Sequence, residues 1–196
     1  MPKIVDYEEK KQEIIEKAKE VFAKHGYHNT NLSLISKKCG MGRTTLYQYF
    51  KNKDEIFYHT VGKTLLDIQK KVESIVEEDS LTFIEKLKKL VFELASEYEH
   101  NYIFVLLAEI WFIIKRGNNE IQKCIKEYTD NLKEAITNLI LEGIEAEEIK
   151  PLDNESMPDT IYSFIESITF QLASNNKKDL KSRIDSVNIL IDGLKA

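Results

Sequence analysis

Within Arg43-Thr44-Thr45-Leu46-Tyr47-Gln48-Tyr49 the chain gathers side chains that can read and hold nucleic acid. An arginine guanidinium binds guanine through two parallel hydrogen bonds, a glutamine amide does the same for adenine, and threonine methyls meet the thymine methyl. Tyrosine hydroxyls suit phosphate oxygens. From Val21 to Lys53 there is no Asp or Glu, while Lys24, Lys37, Lys38, Arg43, Lys51 and Lys53 are present, with His25 and His28. Phosphates attract lysines and repel carboxylates, so a polyanionic partner accounts for this gap in acidic residues. The alternative reading of the outer side chains is a solvated helix face.

Such residues reach a groove only if a short helix is held at a fixed angle. The pattern predicts a helix from Leu32 to Cys39, a tight turn at Gly40-Met41-Gly42, and a second helix from Arg43 to Phe50. Two helices joined in this way place the second one in the major groove. A preceding helix, Tyr7 to His25, carries the apolar stripe Ile14, Ile15, Ala18, Val21 and Phe22 and stops at Gly26. Thr30 or Asn31 is the expected cap of the next helix. Leu32, Ile35, Cys39, Met41, Leu46 and Phe50 are spaced to complete a three-helix core.

The charge distribution agrees. Residues 1–53 hold 11 Lys and Arg against 6 Asp and Glu, a net of +5, and the remaining 17 against 27 give −10. A basic head on an acidic body is expected. The 196 residues are 42% apolar with only 7 Gly and 3 Pro, enough for a real core and favouring helix nearly throughout, so the fold class is all-α. Cys39 and Cys124 stand far apart and suggest no disulfide or metal framework, which fits a reducing cytoplasm. The acidic, polar start is expected to be no signal peptide. The longest apolar run, Tyr102 to Ile114, contains Glu109 and is too short to span a bilayer, so no membrane partner is expected.

Further helices are expected over about Asn52–Glu78, Leu81–Glu99, Tyr102–Lys115, Glu120–Ile144, Pro158–Ala173 and Asp179–Leu194, with Asp79-Ser80 capping the second of these. The body is rich in aromatic residues, which at helical spacing serve either as core or as pocket lining. Tyr98, Tyr102, Trp111, Phe112, Tyr128 and Phe164 are the candidate effector-binding residues, and an aromatic-lined cavity would favour an apolar or aromatic small molecule. Glu109 joins them: a carboxylate in an apolar run pairs with a basic neighbour, reaches the surface, or meets a cationic ligand. Ile161, Ile165, Ile168 and Leu172, followed by Ile184, Val187 and Ile191, form stripes suited either to a four-helix dimer interface or to packing within one chain. Gly62 is either a hinge or a packing notch in its long helix.

The run from Gly26 to Phe57 resembles the DNA-binding head of TetR-type transcriptional regulators. The matching residues are Gly26-Tyr27, Thr30, Ile35 with Ser36, Gly40, Thr45-Leu46-Tyr47, Tyr49-Phe50, Lys53 and Ile56-Phe57. The resemblance covers about a quarter of the chain. It implies a homodimer that represses transcription from a palindromic operator and releases double-stranded DNA when a small-molecule effector binds. Residues 1–51 would be the helix-turn-helix domain and 52–196 the helical effector-binding and dimerisation domain. DNA contacts would fall to Thr30, Ser33, Lys37, Arg43, Thr44, Thr45, Tyr47, Gln48, Tyr49 and Lys53. Tyr47 resembles the family's phosphate-contacting tyrosine, and Lys53 would meet a phosphate at the start of a long helix. Ser33 is shorter than the residues often found at its position.

Two rivals remain at this level. An enzyme would need a nucleophile–base constellation, a phosphate-cradling glycine loop or a metal quartet, and none is visible; no cofactor and no metal are expected. His25 and His28 lack a third ligand at metal-site spacing. An architectural DNA-binding protein without a ligand is the other rival.

Overall fold

The computed structural model describes residues 6–101, 119–153, 155–173 and 180–196. Among them every regular element is an α-helix: α1 Tyr7–Asn29, α2 Leu32–Cys39, α3 Arg43–Leu46, α4 Lys53–Val76, α5 Phe83–Asn101, α6 Asn119–Glu145, α7 Ser156–Ala173 and α8 Leu180–Asp192. The helix expected over Tyr102–Lys115 lies outside the described residues. These residues form two compact units, one of residues up to Thr64 together with residues 119–121, the other of residues 65–101 and those from Gln122 onward. The first unit therefore extends past the expected boundary at Lys51. The reason is packing: the Phe57 ring meets Phe22 edge-on at 5.0 Å and Tyr27 at 4.7 Å, and Ile56, Phe57 and Thr60 are buried.

In the first unit the expected stripe of α1 is buried in full, from Ile14 to Phe22, and meets Ile35 and Cys39 of α2, Leu46 and Phe50. Burying a side chain such as Phe22 completely contributes about 2–3 kcal/mol. Asp6 caps α1, its carboxylate accepting from the amides of Glu8 at 2.9 Å and Glu9 at 3.3 Å. Gly26 interrupts α1 at φ 73°, ψ 167°, a conformation open almost only to glycine, and one further turn carries the chain to Asn29.

In the second unit α5 packs on α7 and α8, and Leu87, Leu90 and Leu94 of α5 and Ile136, Leu139 and Ile140 of α6 are buried. The cap of α5 is Thr82 rather than Asp79 or Ser80. Thr82 and Glu85 form a reciprocal capping box: the Thr82 amide donates to the Glu85 carboxylate at 2.9 Å, and the Glu85 amide donates to Oγ1 of Thr82 at 3.2 Å. At the other end of α4, Lys86 donates to the Val76 carbonyl at 2.7 Å, placing a cation on a helix C-terminus. Gly143 leaves no room for a side chain, since an added Cβ would lie 2.6 Å from Cδ1 of Ile149. The loop after α6 pairs with the chain end: the Lys150 amide donates to Leu194 at 3.0 Å and the Ala196 amide to Glu148 at 3.1 Å. Among the described residues nothing lies within 4 Å of a Cβ placed on Gly62, so no described neighbour makes that glycine a packing notch.

Candidate nucleic-acid interface

The reading element is built from its caps inward. Asn31 caps α2 with two 3.0 Å hydrogen bonds from the amides of Ser33 and Leu34. Gly40 ends α2 in the left-handed region at φ 68°, ψ 30°. Its amide reaches the Lys37 carbonyl at 3.2 Å, while Met41 reaches that of Ser36 at 3.0 Å. This paired C-terminal closure needs a residue with no Cβ penalty at Gly40. It turns the chain directly into α3. Here the helix is shorter than expected: regular α-helix stops at Leu46, and Tyr47 to Tyr49 continue as a turn. Buried Leu46 and Phe50 pin it from beneath.

Above that floor Arg43, Thr44, Thr45, Tyr47 and Gln48 are exposed, with Tyr47 at 50%, and so are Ser33 and Lys37 on α2. These seven form one donor-rich surface on the helix-turn-helix. Three other candidates are placed differently. Thr30 is 2% exposed, and its hydroxyl donates to the Gly26 carbonyl at 2.7 Å, so it closes the break after α1 instead of offering its side chain outward. Tyr49 is half-buried because its ring stacks on Tyr7, centroids 4.9 Å apart. Lys53 is partly buried, its ammonium donating to the Tyr27 carbonyl at 2.8 Å and lying 4.1 Å from the centre of the Tyr27 ring. An ammonium has three donors, so this seat leaves capacity for a phosphate. Sequence reasoning missed Tyr7 and Tyr27 as organisers of this surface, because their partners are distant in the chain.

The electrostatics favour an anion. Lys24, Lys37, Lys51 and Arg43 are exposed with His25 and His28, and Lys38 pairs with Glu20. At the α4 start Asn52 accepts from the Glu55 amide at 2.8 Å, while the Glu55 carboxylate takes the Lys51 amide at 2.6 Å. On α1 the ammonium groups of Lys10 and Lys17 hold the Glu13 carboxyl down at about 2, so this acidic residue stays ionised and paired. Cys39 is buried, and burial pushes its thiol up, which suits packing and not thiolate chemistry. Among the described residues no group of three or more metal-ligating side chains forms.

Residues 14–59 match the family described as bacterial regulatory proteins, tetR family. The chain is 30% identical over 191 residues to the fatty acid metabolism regulator protein of Bacillus subtilis, covering 94% of this chain and 95% of that one. The chain belongs to the TetR family. Among solved structures, FadR from Bacillus subtilis in complex with stearoyl-CoA is similar at a TM-score of 0.72 and 27% identity, covering 92% of this chain and 96% of that one. FadR from Bacillus halodurans, a fatty acid degradation regulator, is similar at 0.70 and 26%, covering 93% and 94%. This TetR-family protein is thus a ligand-responsive, DNA-binding transcriptional regulator and not an enzyme.

The candidate effector residues Tyr102, Glu109, Trp111 and Phe112 lie outside the described residues, as does the side chain of Tyr98. Tyr128 lines a groove of about 260 Å³ between α4 and α6, whereas Phe164 is half-buried elsewhere. The groove has an apolar floor of Val72, Val76, Leu132 and Ala135 but a rim of Glu73, Glu77, Glu134 and Glu142. Ile161, Ile165, Ile168, Ile184, Val187 and Ile191 are all buried within the single chain, where α5 packs on α7 and α8. The side chain of Leu172 lies outside the described ones. Ile189 at 71% and Leu190 at 53% are the large apolar side chains that α8 turns outward.

Proposed function

We propose that this TetR-family regulator is a homodimeric repressor that leaves a palindromic operator when a long-chain fatty acyl-CoA ester binds its second unit. One observation carries the reading: the near full-length 30% identity to a fatty acid metabolism regulator, joined by the similarity to a FadR structure holding stearoyl-CoA. In sequence, the run of residues 102–114 is strongly apolar, and an acyl chain buried against apolar side chains gains about 0.8 kcal/mol per methylene. The carboxylate-rimmed groove between α4 and α6 would repel the phosphates of such a ligand, so that groove is not its headgroup site.

Release follows a population shift. Helix α4 belongs to both units, Lys53–Thr64 to the first and Leu65–Val76 to the second, so a ligand that favours one placement of its second half biases the first half as well. Two copies joined across the outward Ile189-Leu190 face would present two reading elements to half-sites about 10 bp apart or a multiple of that. A cytoplasmic location fits the DNA partner and two free cysteines, and no described helix is long and apolar enough to cross a membrane.

The test is release of a duplex that the purified protein selects from a random-sequence library. Stearoyl-CoA is expected to release it, free CoA is not, and shorter acyl esters should weaken stepwise with chain length. Failure of every long-chain acyl ester to bind or release would overturn the effector assignment.

A further inference from the structure

The end of the reading element is held from outside the helix-turn-helix. The last carbonyls of a helix have no amide of their own to bond, and α3 is only four residues long, so its distal turn has little rigidity by itself. Tyr7, 41 positions earlier at the start of α1, supplies two grips there. Its hydroxyl donates to the main-chain carbonyl of Gln48 at 3.1 Å. Its ring stacks on Tyr49, centroids 4.9 Å apart and planes inclined by 23°. The two grips act on consecutive residues, so they fix the backbone torsions that aim the exposed Gln48 side chain. Tyr7 itself is 49% exposed and lies outside the core made by Leu46, Phe50 and the α1 stripe. It therefore adds orientation to the reading turn much more than it adds stability to the fold.

We propose that Tyr7 is a specificity-determining positioning residue that sets the angle at which the Tyr47–Gln48 turn faces DNA. Hydrogen bonds to base edges demand placement within about 0.5 Å and 10–20°, whereas attraction to phosphates tolerates far more. Losing Tyr7 should thus erode sequence preference and leave general DNA affinity in place. The inference rests on the assignment of α3 as the DNA-contacting element.

The experiment uses the full chain and a duplex that the wild type selects from a random-sequence library, beside a scrambled duplex of equal length, at several salt concentrations. Tyr7→Ala is expected to lose about tenfold on the selected duplex, and Tyr7→Phe, which keeps the stack, about threefold. On the scrambled duplex both should stay within about twofold of wild type with an unchanged salt slope, because no phosphate contact is removed. Equal losses on both duplexes would overturn the proposal, as would a shallower salt slope or full retention of preference in Tyr7→Ala. Tyr7→Phe preserves the buried-side packing and keeps the test decisive if Tyr7→Ala unfolds. A wild type that selects no sequence at all would instead remove the DNA-reading assignment of α3.

Discussion

The ammonium of Lys53 donates to the main-chain carbonyl of Tyr27 at 2.8 Å while lying 4.1 Å from the centre of the Tyr27 ring. The Tyr27 hydroxyl in turn donates to the Asp54 carboxylate at 2.5 Å. The first turn of α4 is thereby tied to the end of α1 through one aromatic residue. A lysine seated in this way approaches a phosphate pre-oriented, with less side-chain freedom to lose.

Removing that lysine should have two separable effects. Lys53→Ala is expected to lower unfolding stability by about 1–2 kcal/mol, through the lost hydrogen bond and cation–π contact. It should also weaken binding to all duplexes alike and flatten the salt dependence by about one unit of slope. Arg43→Ala, exposed and free of that scaffold role, should relax preference at one base position at a cost of about 1–3 kcal/mol. Titrations across a salt series, on operator and scrambled duplexes, distinguish the two. Identical slopes for wild type and Lys53→Ala would show that Lys53 touches no phosphate.

The outward and inward apolar residues of α8 should respond differently to substitution. Ile189→Glu combined with Leu190→Glu is expected to yield a folded monomer that has lost operator affinity, since both side chains are more than half exposed in the single chain. Ile184→Ala should instead destabilise the subunit itself by about 2–5 kcal/mol, because it empties a buried site. A carboxylate at Ile168 or Val187 should unfold the chain for the same reason. Sedimentation with circular dichroism reads both outcomes, and an intact dimer in the Ile189/Leu190 variant would place the interface elsewhere.

Gly143→Ala is expected to destabilise the second unit by about 1–3 kcal/mol. The new methyl would meet Cδ1 and Cγ1 of Ile149 at 2.6 and 2.9 Å and Cβ of Phe83 at 3.0 Å. Those residues belong to the loop and to the α5 start, where Glu148 accepts from the Phe83 amide at 2.8 Å. Gly62→Ala, with nothing among the described residues within 4 Å, should be neutral or stabilising by up to about 1 kcal/mol. Thermal unfolding of the two variants checks the contrast.

His59 offers a pH test on the first unit. Burial, and then Lys11, depress its pKa below the ordinary value of 6.5, with Glu55 and Glu8 opposing. Its ring lies 5.7 Å from that of Phe50, the residue beneath the reading turn. A depressed histidine contributes stability that is present above pH 6.5 and lost as pH falls through its lower folded-state value. The unfolding midpoint of wild type should therefore drop faster between pH 7 and 5 than that of His59→Gln. Parallel curves for the two proteins would show that His59 carries none of this dependence.

The sequence by itself determined the helix-turn-helix. Its signals are local: the apolar stripe of α1, the Asn31 cap, and Gly40, whose left-handed backbone only a residue without a Cβ adopts freely. Helix α2 spans the expected Leu32–Cys39, and α6 and α7 differ from expectation by no more than two residues at either end. The absence of carboxylates between Val21 and Lys53 was equally legible. Only the tertiary structure decided which of those side chains face outward. Thr30 turns back to Gly26 at the break after α1, while Tyr49 and Lys53 turn to Tyr7 and Tyr27, partners 42 and 26 positions away that helical spacing does not bring together. It likewise decided that the stripes of α7 and α8 close the core of one chain and leave Ile189 and Leu190 outside. An apolar stripe records that a face is buried, and nothing in its spacing says whether the covering surface comes from the same chain or from a second copy.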